Sequence, residues 1–454
     1  HGRGSLWSLP VLGGAPRRLG DTEGINAGWS PDGNTLAYSD KSTLFLANAD
    51  GTESRKLLGM KSPAVIGSPV WSPDGSHFRF NAAESVDSLP NLWEVSANGT
   101  GLHRLLPGWT NPPDYECCGL WTADGKYYVF RSRRQIWVLP AKGGFLHPKP
   151  KPIQLTSSPL ALGSPLPSKD GKKLFVVGRT FRGELMRYDS KSGQFAPFLG
   201  GISAELVAFS KDGQWVTYMS FPDGALWRSK ADGSERLQLT YPPDVALMPR
   251  WSPDGKNIVF YENFTNKRDR IFEVSSSGGA PRQLMPDDPS GQSDPNWSPG
   301  GDKIVFASAG QGAASTIRIL DLASHQIVTL PGSEGIFSPR WSPNGRYIVG
   351  LTIDQARVVL FDFQTQKWTE LANGGVGWPS WSKDGEYLYL LAMGDRAVLR
   401  VRASTGQVER AVDLKSFKAT GKWGWLLALA PDDSMLLLRD AGTQDVYALD
   451  WEEP

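Results

Sequence analysis

Cysteine and histidine are scarce in this chain of 454 residues, which has two of the first and five of the second. Two cysteines cannot build a disulfide framework. His1, His77, His103, His147 and His325 are scattered, without metal-ligand spacing, and none stands in an H-E-x-x-H pattern. An excess of either charge is also lacking, with 48 Lys and Arg against 47 Asp and Glu. Nucleic acid as a main partner normally needs a basic face, so this balance argues against it. Long apolar runs are missing too. The longest, Trp423 to Ala430, falls far short of the roughly 18 residues of a membrane-spanning helix, so no membrane insertion is expected of this region. No secretory leader opens the chain. His1 begins in the middle of a pattern that recurs later, and the natural protein is expected to start upstream.

Catalytic signatures are likewise absent from the sequence. There is no G-x-S-x-G nucleophile elbow, no phosphate-binding G-x-x-x-x-G-K-[ST] and no EF-hand loop. The expectation is therefore no catalytic residue, no cofactor and no metal, and the chain leans away from being an enzyme.

What is abundant is a repeat. "WSPDG" stands at Trp29, Trp71 and Trp251, with variants anchored at Trp121, Pro167, Phe209, Trp297, Trp341, Trp381 and Leu429. The mean period is about 44 residues, the length of one four-stranded propeller blade. Ser-Pro-Asp-Gly suits a type I turn, because Pro pre-sets φ at its second position and Gly closes it. A β-prone run follows ("NIVF", "KIVF", "YLYL"), then a second one ("IFEVS", "IRILD"), then a Gly-rich turn and often a short outer strand. The segment before each anchor is the innermost strand. Pro stands two residues before the anchor at Pro69, Pro165, Pro249, Pro295, Pro339 and Pro379, in keeping with an edge strand. Eleven of the 18 tryptophans fall at anchors or in third strands (Trp7, Trp93, Trp137 and Trp227 are the latter), where packing between blades is expected. The fold class is all-β, with β-propeller repeats of ten four-stranded blades.

The "WSPDG" pattern resembles the TolB-like family of bacterial β-propellers over nearly the whole chain. The run "LWEVSANGTGLHRLLPGW…ECCGLWTADGKYYVF" is similar to the propeller portion of bacterial one-component regulators that carry a winged helix, a membrane anchor and an extracytoplasmic propeller region. The winged helix and the anchor are absent from this sequence. The resemblance implies a sensory or scaffolding region of a larger membrane-anchored bacterial protein, periplasmic or extracellular, with a protein partner or peptide segment as its ligand. A small molecule or glycan is the other ligand class. Two competing functions stay open: a carbohydrate-active or other hydrolase or lyase working at the channel, and a structural subunit of an assembly.

Ten blades in one ring is the alternative arrangement; two rings are favoured. The proline-dense stretch "GGFLHPKPKP" offers a stiff linker. The last unit ends at "VYALDWEEP" with no outer strand of its own, and Ile153 to Thr156 are expected to supply it. The division is therefore a partial N-terminal propeller at 1–147 (three and a half blades), a linker at 148–152 and a complete seven-bladed propeller at 153–454.

Ligand-binding side chains are expected one to four residues before each anchor, where the loops entering the inner strands meet at the channel mouth. Glu205, Arg250, Asp294, Arg340, Trp378 and Trp425 lead this set, with Met248, Asn296 and Phe337 beside them. Mutual pairing, such as Arg250 with Asp294 across adjacent blades, is the competing account. "NPPD" before Trp121 and "YPPD" before Trp251 begin at the same offset and point to a shared loop conformation. Cys117 and Cys118 stand four and three residues before Trp121. Three readings remain for them: packed thiols, a vicinal disulfide in an oxidising compartment, or a metal ligand pair.

Overall fold

Each of the ten anchors is the last residue of an inner strand, from Asn26–Trp29 to Ala428–Leu429. A computed structural model describes residues 4–61, 65–84, 89–109, 115–141, 150–241, 245–262, 268–309 and 315–454, and every regular element in them is a strand. The proline-dense stretch from 142 to 149, including the first two linker positions 148 and 149, lies outside these residues. So do all of "NPPD" and all but Tyr241 of "YPPD". No helix of the described residues is long and apolar enough to cross a membrane.

The anchor turn works as its composition dictates. In one copy Gly255 N donates to Ser252 O at 2.9 Å, Ser252 Oγ donates to Asp254 Oδ1 at 2.6 Å, and Lys256 N donates to the same oxygen at 3.1 Å. Gly255 has φ of 73°, which a side chain would strain. The Asp carboxyl is held below its usual range by the Ser hydroxyl first and the backbone N–H second. These Asp-Gly pairs are turn fasteners.

In most repeats the second strand is buried on both sides because neighbouring blades cover it; Lys173–Arg179, whose Phe175 is exposed, is the exception. Ile258, Val259 and Phe260 are fully buried, as are Ile304, Val305 and Phe306. That explains why these strands read as unbroken apolar runs. Not every repeat tryptophan packs this way: Trp7 and Trp29 are 58% and 47% exposed.

The chain divides into two compact units, residues 1–180 with 443–454, and residues 181–442. The second unit holds six four-stranded antiparallel sheets. Blade 1 is Ala204–Phe209, Trp215–Ser220, Leu226–Lys230 and Leu237–Gln238; blades 2 to 5 follow with anchors Trp251, Trp297, Trp341 and Trp381. Blade 6 joins both ends of the unit. Its inner strands are Ala428–Leu429 and Met435–Asp440, and its outer strands are Gly183–Asp189 and Gln194–Pro197, with Gly183 opposite Asp440 and Leu185 opposite Leu438. Successive inner strands pack side by side, and blade 6 packs on blade 1, closing the ring.

The expected division is corrected here. Ile153–Gln154 does not complete the final blade; it pairs with Gln135–Pro140 (Val138 opposite Ile153) and finishes the sheet anchored at Trp121. The inner pair Ala161–Pro167 and Lys173–Arg179 takes Gln444–Asp450 as its third strand. The closed ring thus has six blades spanning 181–442, where seven over 153–454 were expected. The physical reason is that "ELMRYD" and "QDVYALD" have the same strand character. Local sequence does not say which inner pair each one joins, and a third strand can be exchanged without changing the repeat.

One regular feature escaped the sequence. In eight repeats the residue three before the anchor has positive φ: Ser68, Cys118, Ser164, Leu206, Met248, Asp294, Ser338 and Trp378, between 47° and 61°. At each one the ladder register shifts, so that two inner-strand residues oppose one partner, for example between Leu247 (opposite Tyr261) and Arg250 (opposite Val259). This is a β-bulge. The recurrent Pro is the second residue of the bulge, where no ladder bond is lost by its missing N–H.

Candidate site in the channel of the second unit

The residue one before the anchor turns toward the channel, in five of the six blades just downstream of the bulge. Ala208, Arg250, Asn296, Arg340, Ser380 and Ala428 occupy this place in the six blades, and all of them line one cavity of about 220 Å³. Blades 2, 3 and 4 contribute the long polar side chains Arg250, Asn296 and Arg340; blades 5, 6 and 1 contribute Ser380, Ala428 and Ala208. The wall is therefore polar on one half and small on the other. Leu206, Met248, Trp378 and Leu426, three before their anchors, add an apolar shelf.

The polar half is fixed in place by its neighbours. The indole N–H of Trp297 donates to Arg250 O and that of Trp381 to Arg340 O, each at 3.1 Å, lacing one blade to the next. Asn296 Oδ1 accepts from Trp341 N at 2.8 Å. Arg340 is buried and paired with buried Asp294, with Nη1 to Oδ1 at 2.7 Å. Its Nη1 also donates to Pro339 O at 2.8 Å, while Nε has no hydrogen-bond partner. Among the described residues the Arg250 guanidinium donates to Pro249 O alone, at 2.9 Å. Loss of water lowers the Arg250 pKa to about 9, and the like charge of Arg340 adds to that effect against the pull of Asp294.

Glu205 lines the same cavity and is 2% exposed. Its carboxylate accepts from the backbone N–H of Lys422 at 3.1 and 3.0 Å. Burial nevertheless raises its pKa to about 7, with the Lys422 N–H and charge opposing. Gly421 makes this contact possible: its φ is +133°, and an added Cβ would stand 2.5 Å from Glu205 Oε2. The same burial lowers the pKa of the Lys422 ammonium.

Of the expected residues, Glu205, Arg250, Arg340 and Trp378 come together on the cavity wall, with Met248 and Asn296. Asp294 does not reach the wall; it is committed to Arg340 on the following blade, so the expected pairing across blades occurs with Arg340 in place of Arg250. Trp425 and Phe337 are also off the wall. Trp425 packs on Phe417 while Leu426 lines the channel. Trp378 packs against Trp423 with the rings tilted and their centroids 5.4 Å apart. The small half of the wall was missed, though its signal was the fixed offset of one residue before each anchor.

In the first unit a disulfide joins Cys117 to Cys118, with Cα atoms 3.7 Å apart. Cys118 is the bulge residue of its blade, Cys117 is fully buried, and Cys117 stands opposite Arg131 in the ladder. Among the described residues no group of three or more His, Cys, Asp or Glu is placed to hold a metal ion.

Residues 202–427 match the family model of the TolB beta propeller domain, and the second unit is a TolB-like β-propeller. Among curated proteins, 178 residues (37% of this chain) are 29% identical to the "Uncharacterized peptidase YuxL" of Bacillus subtilis, covering 24% of it. A further 62 residues (14% of this chain) are 36% identical to the "Tol-Pal system protein TolB" of Syntrophus aciditrophicus, covering 13% of it. The matches thus span a quarter or less of these two relatives. Among solved structures, a putative TolB from Agrobacterium tumefaciens is 19% identical with a TM-score of 0.48, over 57% of this chain and 99% of that one. TolB from Acinetobacter baumannii is 18% identical with a TM-score of 0.41, over 60% of this chain and 78% of that one.

Proposed function

We propose that this TolB-like chain is a non-catalytic binding module that holds a segment of a partner protein in the channel mouth of its second unit. The observation that carries this reading is the one-sided wall. One residue before their anchors, three consecutive blades present Arg250, Asn296 and Arg340, and the other three present only Ser380, Ala428 and Ala208, which leaves room for an inserted side chain. A wall built to satisfy only itself would have no need of the vacant half. The Cys117–Cys118 disulfide supports a periplasmic or extracellular setting. The similarity of the run from Leu92 to Phe130 to regulator propellers supports a sensory role within a larger membrane-anchored protein.

A random peptide library selected against the full chain tests the reading, with Ser380→Trp as the plug for the small half. Peptides that bind the wild type and lose at least about tenfold in affinity on the plugged variant are expected. A library without binders, or binders indifferent to the plug, would overturn the assignment of the channel.

A further inference from the structure

The polar half of the channel wall carries more positive than negative charge. Arg250 and Arg340 both face the cavity, and Asp294, the acid beside them, is engaged with Arg340. Among the described residues no carboxylate lies within ion-pair distance of Arg250, whose sole hydrogen bond is to its own neighbour's carbonyl. Arg340 Nε is buried without an acceptor. Asn296 has its oxygen taken by Trp341 N, so what it offers the cavity is its amide donors. Glu205 is in no position to neutralise Arg250, because Lys422 N–H holds it. A partly buried guanidinium without an acid leaves donors open to an acceptor that a ligand supplies. Three donor groups in succession, and no free acceptor among them, define what fits.

Resting on the channel reading above, we propose that the cavity binds a carboxylate of the partner segment, held by Arg250 with Asn296 and Arg340 beside it. Its carbon stem lies against Trp378, Leu206 and Leu426. Asp294 is the strut that aims Arg340, and it touches no ligand. The bulges set this arrangement: Met248 and Asp294 in the left-handed region bring Arg250 and Asn296 round to the channel. A guanidinium gives a carboxylate two parallel donors, which a neutral amide cannot match. The volume of about 220 Å³ admits a side chain with its flanking atoms, and a whole folded element is too large for it.

The probes are 3-phenylpropionate and its neutral amide, 3-phenylpropionamide, each titrated into the full chain and followed by tryptophan fluorescence and ligand-observed NMR. The wild type should prefer the acid by about tenfold or more. Arg250→Met should abolish the preference, and Arg250→Lys, which keeps the charge, should retain part of it. An acid and amide that bind equally to the wild type, a preference that survives Arg250→Met, or no binding of either would overturn the proposal. Ser380→Trp separates the two claims: equal binding of acid and amide that is lost on plugging removes the carboxylate and leaves the channel. To distinguish a side-chain carboxylate from a chain terminus, peptides ending in a free or an amidated C-terminus are compared with and without an internal Glu. Loss on replacing Glu by Gln supports the first source, loss on amidation supports the second, and loss on neither overturns the carboxylate assignment.

Discussion

Replacing Glu205 by Gln should make the second unit more stable at neutral pH and flatten its pH dependence. In the folded chain this carboxyl ionises near pH 7, because it is buried; unfolded, it ionises near 4.5. Between those values the unfolded chain gives up the proton and the folded chain keeps it. Unfolding therefore becomes easier as pH rises through the interval, and the loss is complete above about pH 7. Its size is about 3 kcal/mol. Glutamine keeps the shape and an oxygen for the Lys422 N–H but has no proton to lose. Hydrogen exchange of the buried strands 204–209 and 435–440 reads this unit directly in the full chain. Taking the ratio of variant to wild-type protection at each pH removes the intrinsic exchange rate and every titration the two share, including that of His77. The ratio should grow by about a hundredfold from pH 4.5 to pH 8. A ratio that stays constant across the interval, or that falls, would refute the reasoning.

Two further outcomes follow from the geometry. Arg340→Met should destabilise the second unit by about 3–5 kcal/mol, since it strands buried Asp294. Adding Asp294→Asn should restore much of that loss, and additive losses in urea unfolding would refute the pair. Intact mass of native protein alkylated without reductant should show no modified cysteine, and alkylation after reduction should show two; two alkylated cysteines without reductant would refute the Cys117–Cys118 bond.

The parts of this fold that local chemistry controls were legible. The Ser-Pro-Asp-Gly turn is a self-contained hydrogen-bond unit, so its ten positions mark the ends of ten inner strands wherever they fall. The anchor offset named Arg250, Asn296 and Arg340, which line the cavity, but it also named Asp294, Phe337 and Trp425, which do not, and it passed over Ala208, Ser380 and Ala428. What stayed hidden depends on partners far away in sequence. Nothing in "ELMRYD" reports that it pairs with Met435–Asp440, and nothing in "QDVYALD" reports that it pairs with Lys173–Arg179. The bulges were hidden because Leu206, Met248 and Trp378 are poor candidates for positive φ by residue type, and surrounding packing imposes the conformation on them. In blade 6, which has no such bulge, Trp425 packs on Phe417 and Leu426 lines the channel.

The exchanged strands also set the order in which the chain is able to finish folding as it leaves the ribosome. Arg187 meets Ser434 across 247 residues of chain, and Lys173 waits for Asp450. Until those last strands emerge, five blades of the second unit stand as an open arc with bare edges, and the Ala161–Arg179 hairpin in the first unit lacks its third strand. Bare edges invite mispairing. The chain's vulnerable interval during synthesis therefore lasts until residues 435–450 emerge, when the second unit closes and the Ala161–Arg179 hairpin gains its third strand almost together.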